Sequence, residues 1–375
     1  MVNEPGYDCL KIFPPFPQNS VSGHLYLFST PLKCCCKNMN LFLRLFIVFS
    51  VTGFISQKVF AQLIWINVDS IFQPIPHSVH IFKSISTLDG KPNIAYYVEA
   101  DLKDKKIIFT TDTTDKRRLT PRQYFEKNAK PILVVNCSFF SFETNQNLNV
   151  VIRDGRMVSY NARYVKGKGL DSTEIYMPVL SAIGINKRRH ADIAWVYSDS
   201  SIQRPVVYTY PVEPMPQNIA PWFYPWNRFS SRLDSIIKRP DANHDIFRKR
   251  FWKMNTAVGG GPVLLQRGKI FITNEEERMF SGKAINDKHP RTAMGYTPDH
   301  KLIILVIEGR HPGIAEGATL LQEAQIFKSL RCVEALNLDG GGSSCLLING
   351  KETIMPSDKE GERAVPAVFL IKKRH

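Results

Sequence analysis

The sequence predicts an α+β fold, a single domain with a mixed, largely antiparallel β-sheet and few helices. Segments with strand patterns outnumber helical ones, and tight turns such as Asp154-Gly155, Arg267-Gly268 and Pro298-Asp299 recur between them. Only one segment carries a clear helix signature. A chain with many strands and few helices favours this class over a helical bundle or a doubly wound fold.

The predicted strands are apolar or alternating runs bounded by turn residues. Ile94, Tyr96 and Val98 alternate with more polar positions, as expected for a half-buried strand. The run 131–140 is apolar enough for a buried strand. In chain order, the strands are expected near 94–99, 105–111, 131–140, 148–153, 179–186, 191–197, 262–266, 269–273, 291–297, 301–308, 334–339, 345–348 and 364–371.

The one clear helix is predicted to begin after Thr319. Thr319 with Gln322 forms a capping-box pattern, in which each side chain caps the other's backbone N–H. Leu320, Ala324 and Phe327 then share one apolar face. The helix leads into the strand 334–339, which ends in a glycine-rich loop.

Composition and charge exclude several classes of protein. The chain has 375 residues, 43% hydrophobic and 22% charged, which is typical of globular proteins and not of collagen-like, coiled-coil or disordered chains. No run of 18 apolar residues without a charge is present, which argues against a polytopic membrane protein. The net charge of +15 comes without a helix-turn-helix, zinc-finger or RNP pattern, so no nucleic-acid partner is expected. An anionic substrate or envelope polymer would use this charge, although it could equally serve solubility alone.

Residues 39–61 are predicted to be a signal peptide. Basic residues surround Met39, the apolar core 45–55 follows, and Val59-Phe60-Ala61 offers small residues for cleavage. A short buried helix or an uncleaved anchor is the alternative. Residues 1–38 are then interpreted as a mis-assigned upstream extension. We therefore expect a secreted or periplasmic protein with no stable membrane insertion after cleavage.

The remaining domain, 62–375, contains an unusual insertion and few cysteines. Residues 199–253 hold seven prolines and the aromatic run 222–226, which could stack on sugars or pack on the main sheet; packing is favoured. After residue 61 only Cys137, Cys332 and Cys345 remain, enough for one disulfide at most. No CxxC pair or Cys/His cluster offers ligands for structural zinc.

Four segments at strand boundaries carry the residues suited to chemistry. In 337–344 three glycines allow backbone amides to approach an anion, with Asp339 at the strand end. This segment lacks the order of a Walker P-loop, a dinucleotide fingerprint or a nucleophile elbow, and alone it would be a glycine-rich turn. The other three segments are 259–262, a second glycine run; 289–295, where His289 and Arg291 begin a strand; and 308–310, with an acid at a strand end.

Together with a fifth motif, these segments resemble the phosphodiester glycosidase family over roughly 90–372. The matching motifs are Asn136-Cys137-Ser138-Phe139-Phe140 for Asn-Gly-Gly-Phe-Phe, 256–264 for a glycine-rich Gly-Pro segment, 291–295 for Arg-Thr-Ala-Ile-Gly, Glu308-Gly309-Arg310 for Asp-Gly-Arg, and 337–344 for Asn-Leu-Asp-Gly-Gly-Gly-Ser-Ser. The chain departs from the family pattern at Cys137, Ser138 and Glu308, and by the insertion 199–253.

The resemblance implies an exported hydrolase that cleaves the bond between a sugar's anomeric carbon and a phosphodiester oxygen. It implies that Arg291, helped by His289 and by Gly340, Gly341, Gly342, Ser343 and Ser344, binds the phosphate. Asp339 and Glu308 are then the acid, base or nucleophile. The substrate would be a carbohydrate phosphodiester of a glycan or envelope polymer.

Two further residues, Asn136 and Thr292, are expected to bind substrate or to position the carboxylates. Asn136, with Thr292, would hold a sugar hydroxyl or orient a carboxylate. No cofactor is required by the pattern, although Asp339 and Glu308 could hold a divalent cation. A non-catalytic polysaccharide-binding module and a transglycosylase remain alternatives that use the same cleft. The pattern makes no prediction about oligomeric state.

Overall fold

The computed structural model of the chain describes residues 63–374, apart from 163, 167–174, 178, 199, 201–203, 213, 214 and 217–249. The predicted upstream extension, the signal peptide 39–61 and the aromatic run 222–226 lie outside the described residues. Those described belong to a compact unit spanning Phe60–His375. In this part of the chain, no helix has the length and apolar character needed to cross a membrane.

The described residues form 23 strands and two α-helices. The strands are β1 Trp65–Asn67, β2 Val79–Ser84, β3 Ala95–Asp101, β4 Ile107–Thr113, β5 Leu133–Asn136, β6 Val151–Arg153, β7 Arg156–Ser159, β8 Val165–Lys166, β9 Ile175–Met177, β10 Leu180–Ile185, β11 Ala191–Tyr197, β12 Val206–Tyr208, β13 Met215–Pro216, β14 Arg250–Phe251, β15 Thr256–Gly259, β16 Val263–Gln266, β17 Lys269–Ile270, β18 Arg291–Tyr296, β19 Lys301–Ile307, β20 Glu334–Asn337, β21 Leu346–Ile348, β22 Lys351–Glu352 and β23 Ala367–Lys373. The helices are α1 Pro121–Lys127 and α2 Leu320–Ser329. Short 3-10 helices cover Asp69–Phe72, Gly282–Ile285 and Gly341–Ser343.

The strands are arranged in four sheets rather than one. Their orders are β1-β2-β3-β19-β18-β20-β16-β17, β14-β12-β11-β10-β15-β6-β7, β22-β21-β5-β23-β4 and β13-β9-β8. Every pairing within the described residues is antiparallel. The predicted antiparallel character is therefore confirmed, and so is the small number of helices in the part described.

The three larger sheets enclose a shared apolar core. Ile304 of β19, Trp195 of β11 and Leu133 of β5 all belong to it. Because side chains alternate along a strand, Leu305 of β19 points to the opposite face and joins a second cluster. The fully apolar pattern of β19 thus reflects burial on both faces.

The outer face of each large sheet has its own cover. Helix α2 packs Phe327 onto the eight-stranded sheet, α1 packs Tyr124 onto the five-stranded sheet, and Trp252 covers the seven-stranded sheet. The predicted capping box of α2 is present, with Thr319 and Gln322 each bonded to the other's backbone. Helix α1 was not predicted; it is too short for a periodic apolar face.

Antiparallel registers bring the predicted site segments to one end of the eight-stranded sheet. Arg291 at the start of β18 is opposite Ile307 at the end of β19, and Ala293 is opposite Asn337 at the end of β20. The end of β5 meets them there, because Asp339 donates its backbone N–H to the Cys137 carbonyl at 2.8 Å. The site therefore lies where two sheets converge.

Candidate functional site

A glycine-rich loop after β20 forms the centre of the site. Its turn is held by the Gly341 N–H, which donates to the Pro290 carbonyl at 2.9 Å. Gly341 has a φ of +62°, a left-handed conformation that glycine adopts without strain. Ser343 and Ser344 follow and are buried. The loop thus holds Asp339 and its neighbouring amides in a fixed arrangement at the converging sheet ends.

Asp339 has the electrostatic character of a group that exchanges protons near neutral pH. Burial raises the pKa of its carboxyl to about 7, against the lowering effects of a hydrogen bond from Ser343, the charge of Arg363 and the Gly340 amide. Its Oδ2 is buried and has no hydrogen-bond partner among the described residues. A buried carboxyl with an unpartnered oxygen and such a pKa is suited to acid–base chemistry.

Asn136 and Thr292 support this loop from below and are both fully buried. The Asn136 Nδ2 donates to the Asp339 carbonyl at 2.6 Å, while its Oδ1 accepts from Thr292 Oγ1 at 2.9 Å and the Cys345 N–H at 3.0 Å. Thr292 Oγ1 also lies 3.2 Å from Ser344 Oγ. Because these bonds use Asn136's side-chain amide, its contacts are those of a residue that orients the Asp339 loop.

Arg291 is buried below the loop, with 3% of its surface exposed. Its Nε donates to the Ala318 carbonyl at 2.9 Å and a terminal nitrogen to the Asp287 carbonyl at 3.3 Å. Burial raises the pKa of Glu323 on α2 to about 8, and the nearby Arg291 charge opposes this shift. These contacts fix the start of β18, whose preceding carbonyl holds the glycine loop.

Arg310 is the exposed cation at the loop. A Cβ on Gly341 would lie 3.0 Å from its Nη2 and 3.3 Å from its Nη1, so its guanidinium rests on the bare glycine backbone. His289 is nearby: burial, then the charges of Arg291 and Arg310, lower the pKa of its imidazole. Of Arg291, Arg310 and His289, it is thus Arg310 that offers an accessible positive charge, while His289 favours its neutral form.

Glu308 and His311 form a hydrogen-bonded pair beside Arg310. Glu308 Oε1 lies 2.9 Å from His311 Nδ1, and its Oε2 accepts the Met355 N–H at 2.9 Å. The Glu308 carboxylate is buried, whereas His311 is partly exposed. A carboxylate on one ring nitrogen fixes the orientation of the imidazole and leaves the other nitrogen for a reactant.

Arg363 reaches the loop from the segment before β23. It donates to both Asp358 oxygens at 2.7 and 2.8 Å, and its Nη1 lies 3.5 Å from Ser343 Oγ. The Arg363–Asp358 pair occupies the space where Gly342 would carry a side chain. Close approach of this ion pair therefore requires glycine at 342.

The three cysteines of the described residues lack the properties of catalytic nucleophiles. Cys137, Cys332 and Cys345 are free and buried, and burial raises the pKa of the Cys137 thiol to about 12. Such thiols stay protonated and are poor nucleophiles.

Within the described ranges, no group of three or more His, Cys, Asp or Glu side chains is arranged to hold a metal ion.

The structure therefore unites most of the predicted site. Asp339, the glycines, the two serines and the supporting Asn136 and Thr292 surround one loop, and Glu308 lies beside it. Sequence reasoning did not assign roles to Arg310, His311 or Arg363. The first two stand in or next to the quoted Glu308-Gly309-Arg310 motif, whereas no local pattern distinguishes Arg363.

A comparison with protein families shows what the segment that carries most of this site is similar to. Residues 230–372 match the sequence model of the family described as phosphodiester glycosidase. Over these residues the chain is similar to the phosphodiester glycosidase family. The resemblance predicted from the motifs is confirmed over this segment, which includes all of the quoted motifs except 136–140.

Curated relatives match over short stretches. The mouse N-acetylglucosamine-1-phosphodiester alpha-N-acetylglucosaminidase is 32% identical over 110 residues, covering 27% of this chain and 21% of the mouse protein. The SPbeta prophage-derived uncharacterized protein YomE of Bacillus subtilis (strain 168) is 40% identical over 87 residues, covering 23% of this chain and 13% of that protein. The chain thus spans about a fifth or less of the curated relatives' length in these matches.

A solved structure extends the likeness in fold. The zebrafish N-acetylglucosamine-1-phosphodiester alpha-N-acetylglucosaminidase catalytic domain, auto-inhibited by its pro-peptide, superposes with a TM-score of 0.50 at 20% identity. The match covers 84% of this chain and 89% of the zebrafish domain. The fold of the phosphodiester glycosidase domain is therefore shared well beyond residues 230–372.

Proposed function

We propose that the protein hydrolyses a sugar-1-phosphodiester, breaking the bond between the anomeric carbon and the phosphate oxygen. The observation that carries this proposal is Asp339, a carboxyl with a pKa of about 7 and an unpartnered buried oxygen, beside an exposed guanidinium on a glycine loop. The family of residues 230–372 supports the same reaction class.

Asp339 is proposed as the proton donor to the leaving phosphate. The leaving group is a phosphate monoester, whose second pKa is about 6. A donor whose own pKa lies near that value and near neutral pH is well matched to the transfer. The proton passes from the Asp339 carboxyl to the former bridging oxygen as the bond to the anomeric carbon breaks.

Arg310 is proposed to neutralise the phosphate, in place of the buried Arg291. Its exposed guanidinium offers planar, two-pronged hydrogen bonding to phosphate oxygens. Because Gly341 carries no side chain, this guanidinium and the loop amides can face the same anion. Arg291 then acts through the backbone, by fixing the Pro290 carbonyl that holds Gly341.

The Glu308–His311 pair is proposed to activate water. The 2.9 Å contact to Glu308 supports a fixed imidazole orientation, and His311 Nε2 makes no hydrogen bond with the described residues. His311 would take a proton from the water that attacks the anomeric carbon. Glu308 would then act as a positioning residue, stabilising the imidazolium.

The direct test is turnover of an α-linked N-acetylglucosamine-1-phosphodiester, the substrate type in the name of the mouse relative. Released sugar is measured over time, together with a panel of other sugars in the same linkage. Asp339→Asn should abolish most release, whereas Asp299→Asn, in the exposed turn between β18 and β19, should not. Saturable binding without released sugar would overturn the proposal and favour the binding module; sugar recovered only on an added glycan acceptor would favour the transglycosylase.

The same assay tests whether a divalent cation takes part, which the sequence pattern allows but does not require. Unchanged turnover in a chelator would support chemistry by protein groups alone. Loss of turnover, restored by Mg²⁺ or Ca²⁺, would show that a cation takes part, and Asp339 Oδ2, an oxygen without a hydrogen-bond partner, would be its first candidate ligand. Glu308 would contribute little to such a site, because both of its oxygens already have hydrogen-bond partners.

Export is proposed from the signal-peptide pattern of residues 39–61. A substrate outside the cytoplasm, such as a glycan or envelope polymer, would follow. N-terminal sequencing of protein secreted by its native host should give a start within a few residues of Gln62. Recovery of the 39–61 segment on the exported protein would overturn the cleavage.

A further inference from the structure

An exposed aromatic ring with two guanidinium groups lies beside the glycine loop. Phe142 is 62% exposed, unusual for a large apolar side chain next to a polar site. The Cζ atoms of Arg118 and Arg363 lie 5.4 and 5.3 Å from its ring centre. Phe140 packs 4.8 Å from Phe142 and also contacts Arg118 at 5.4 Å. We call these four residues the aromatic–arginine cluster.

The cluster is continuous with the proposed active site. Arg363 connects the two, since its Nη1 lies 3.5 Å from Ser343 Oγ and its charge lowers the pKa of Asp339. Phe140 belongs to the segment that follows β5, in which Asn136 holds the Asp339 loop. A ligand bound at the loop can therefore extend over Phe142 toward Arg118.

The two arginines differ in how their charges are balanced. Arg363 donates two hydrogen bonds to Asp358. Arg118 is partly buried and makes ring contacts, but no hydrogen bond or ion pair with the residues that the structure describes. Contact with two rings restricts the guanidinium while its N–H donors stay unpaired. Such a group is prepared to bind an anion.

We propose that Arg118 binds a second anionic group, a phosphate or a carboxylate, on the aglycone of the substrate, with Phe142 covering the intervening apolar part. The inference rests on the proposed function, because it extends the same site. It assigns the substrate class: sugar-1-phosphodiesters whose aglycone carries a further negative charge. Residues 62–375 hold 44 Lys and Arg against 32 Asp and Glu, and this net charge of +12 would add long-range attraction for such substrates.

The experiment compares kcat/KM for three phosphodiesters of one sugar, with methanol, glycerol 3-phosphate or lactate as the aglycone alcohol. The wild type should prefer the two charged aglycones over methyl by about tenfold or more in low salt, equivalent to ~1.4 kcal/mol, and less in 0.5 M salt. Arg118→Gln should bring the charged-to-methyl ratio close to one, and Arg118→Lys should restore part of it. The phosphate and lactate arms separate the two anion types.

A matched control and a second variant complete the design. Arg117→Gln removes an adjacent exposed positive charge and should keep the ratio of the wild type. Phe142→Leu removes one of the two rings that Arg118 contacts and should lower the ratio partway. A ratio near one in the wild type, or the wild-type ratio in Arg118→Gln, would overturn the subsite while leaving the proposed function intact.

Failure of the proposed function gives a different result. If the wild type cleaves none of the three compounds, their binding is measured by calorimetric titration. Tighter binding of the charged aglycones that depends on Arg118 would still support the anion subsite. Equal binding by the wild type and Arg118→Gln would overturn it.

Discussion

Two glycine runs of the same length serve different purposes in this molecule. In the run 259–261, a side chain on Gly260 would collide with the Asn337 carbonyl, so backbone packs on backbone. In the run 340–342, the positions of missing side chains are occupied partly by charged groups, Arg310 at Gly341 and Arg363 at Gly342. The first run brings two sheets together, and the second makes room for cations.

Each run also has its own buried carboxyl. Glu277, near Gly261, accepts hydrogen bonds from Ser181 N and Oγ, Trp195 Nε1, Val263 N and Thr273 Oγ1. Asp339 keeps one oxygen without a partner. A carboxylate with all its acceptor positions filled is a structural connection, whereas a partly unpaired one retains capacity for a ligand or a proton. Glycine runs are therefore best interpreted through the charged groups around them.

Glu277→Ala should have the largest effect on stability. It leaves several buried donors without their acceptor, and each unsatisfied donor costs about 1–3 kcal/mol in the free energy of unfolding. Urea denaturation measures this, with Asp299→Ala as an exposed control that should stay within about 0.5 kcal/mol of the wild type. A Glu277→Ala protein that keeps the stability of the wild type but has no turnover would show that Glu277 acts in the reaction and not in stability.

Asp339→Asn should have the largest effect on turnover. Without the transferable proton, kcat should fall at least about a hundredfold, or ~2.7 kcal/mol. The measurement is release of sugar from the phosphodiester under saturating substrate. A tenfold loss or less would remove Asp339 from the role of proton donor.

The same variant should gain stability at alkaline pH. The pKa of Asp339, about 7 in the folded protein, is above its unfolded value, so its contribution to stability is complete at low pH and is lost as pH rises through 7. Asn has no such dependence, so the free energy of unfolding of the variant relative to the wild type should be higher at pH 8 than at pH 4 by on the order of 4 kcal/mol. Parallel stability curves at both pH values would contradict the raised pKa.

Arg310→Lys should distinguish the role of the exposed Arg310 from that of the buried Arg291. It keeps the charge but loses planar bonding, so turnover of the phosphodiester should fall about tenfold to a hundredfold, with little change on an aryl glycoside of the same sugar. Arg291→Lys should affect both substrates equally and lower the melting temperature. If Arg291→Lys instead reduced turnover of the phosphodiester alone and Arg310→Lys affected both substrates equally, Arg291 would be the phosphate ligand.

Arg363→Gln should move the alkaline limb of the pH profile. Its charge lowers the pKa of Asp339, so its removal should raise that pKa and shift the limb upward by roughly 0.5–1 pH unit. The profile of kcat/KM against pH measures the shift, and Arg331→Gln, exposed beyond α2, is the control. An upward shift of the acid limb instead, with the alkaline limb unchanged, would mean that Asp339 acts in its ionised form.

Cys137→Ser should change turnover least, by a few-fold at most. The thiol is buried, its pKa is about 12, and its observed side-chain partner is the Ser138 hydroxyl at 3.7 Å. The phosphodiester assay checks this directly. A loss beyond about a hundredfold would identify a nucleophile that the site description lacks.

Patterns local in sequence predicted much of this architecture. The Thr319–Gln322 cap is present as predicted, and the turns Asp154-Gly155 and Arg267-Gly268 have positive φ values at both positions. The short strands β1 and β2 were not predicted, and the strand expected over 131–140 is limited to Leu133–Asn136. After Asn136 the chain turns to support the Asp339 loop, a tertiary requirement that apolar periodicity does not encode.

The sequence motifs predicted which segments form the site, but not which of their residues has which role. Arg291 and Arg310 both stand at strand boundaries, and sequence alone favoured Arg291 as the phosphate ligand. Burial of Arg291 depends on carbonyls at Asp287 and Ala318 and on Glu323 of α2, which approach it only after folding. Contacts between distant segments therefore decide which guanidinium faces solvent.

Strand β19 has a consequence for the timescales of motion around the site. It lies between β3 and β18, and residues 302–307 are essentially inaccessible to water. Amide hydrogens in such a strand exchange with solvent only when the whole domain opens, whereas those near exposed Phe142 can exchange through local fluctuations. Glu308 directly follows the strand whose amide hydrogens should exchange most slowly. The proposed anion subsite lies where amide hydrogens should exchange faster. A ligand can therefore enter through a moving region while the acid–base groups stay fixed.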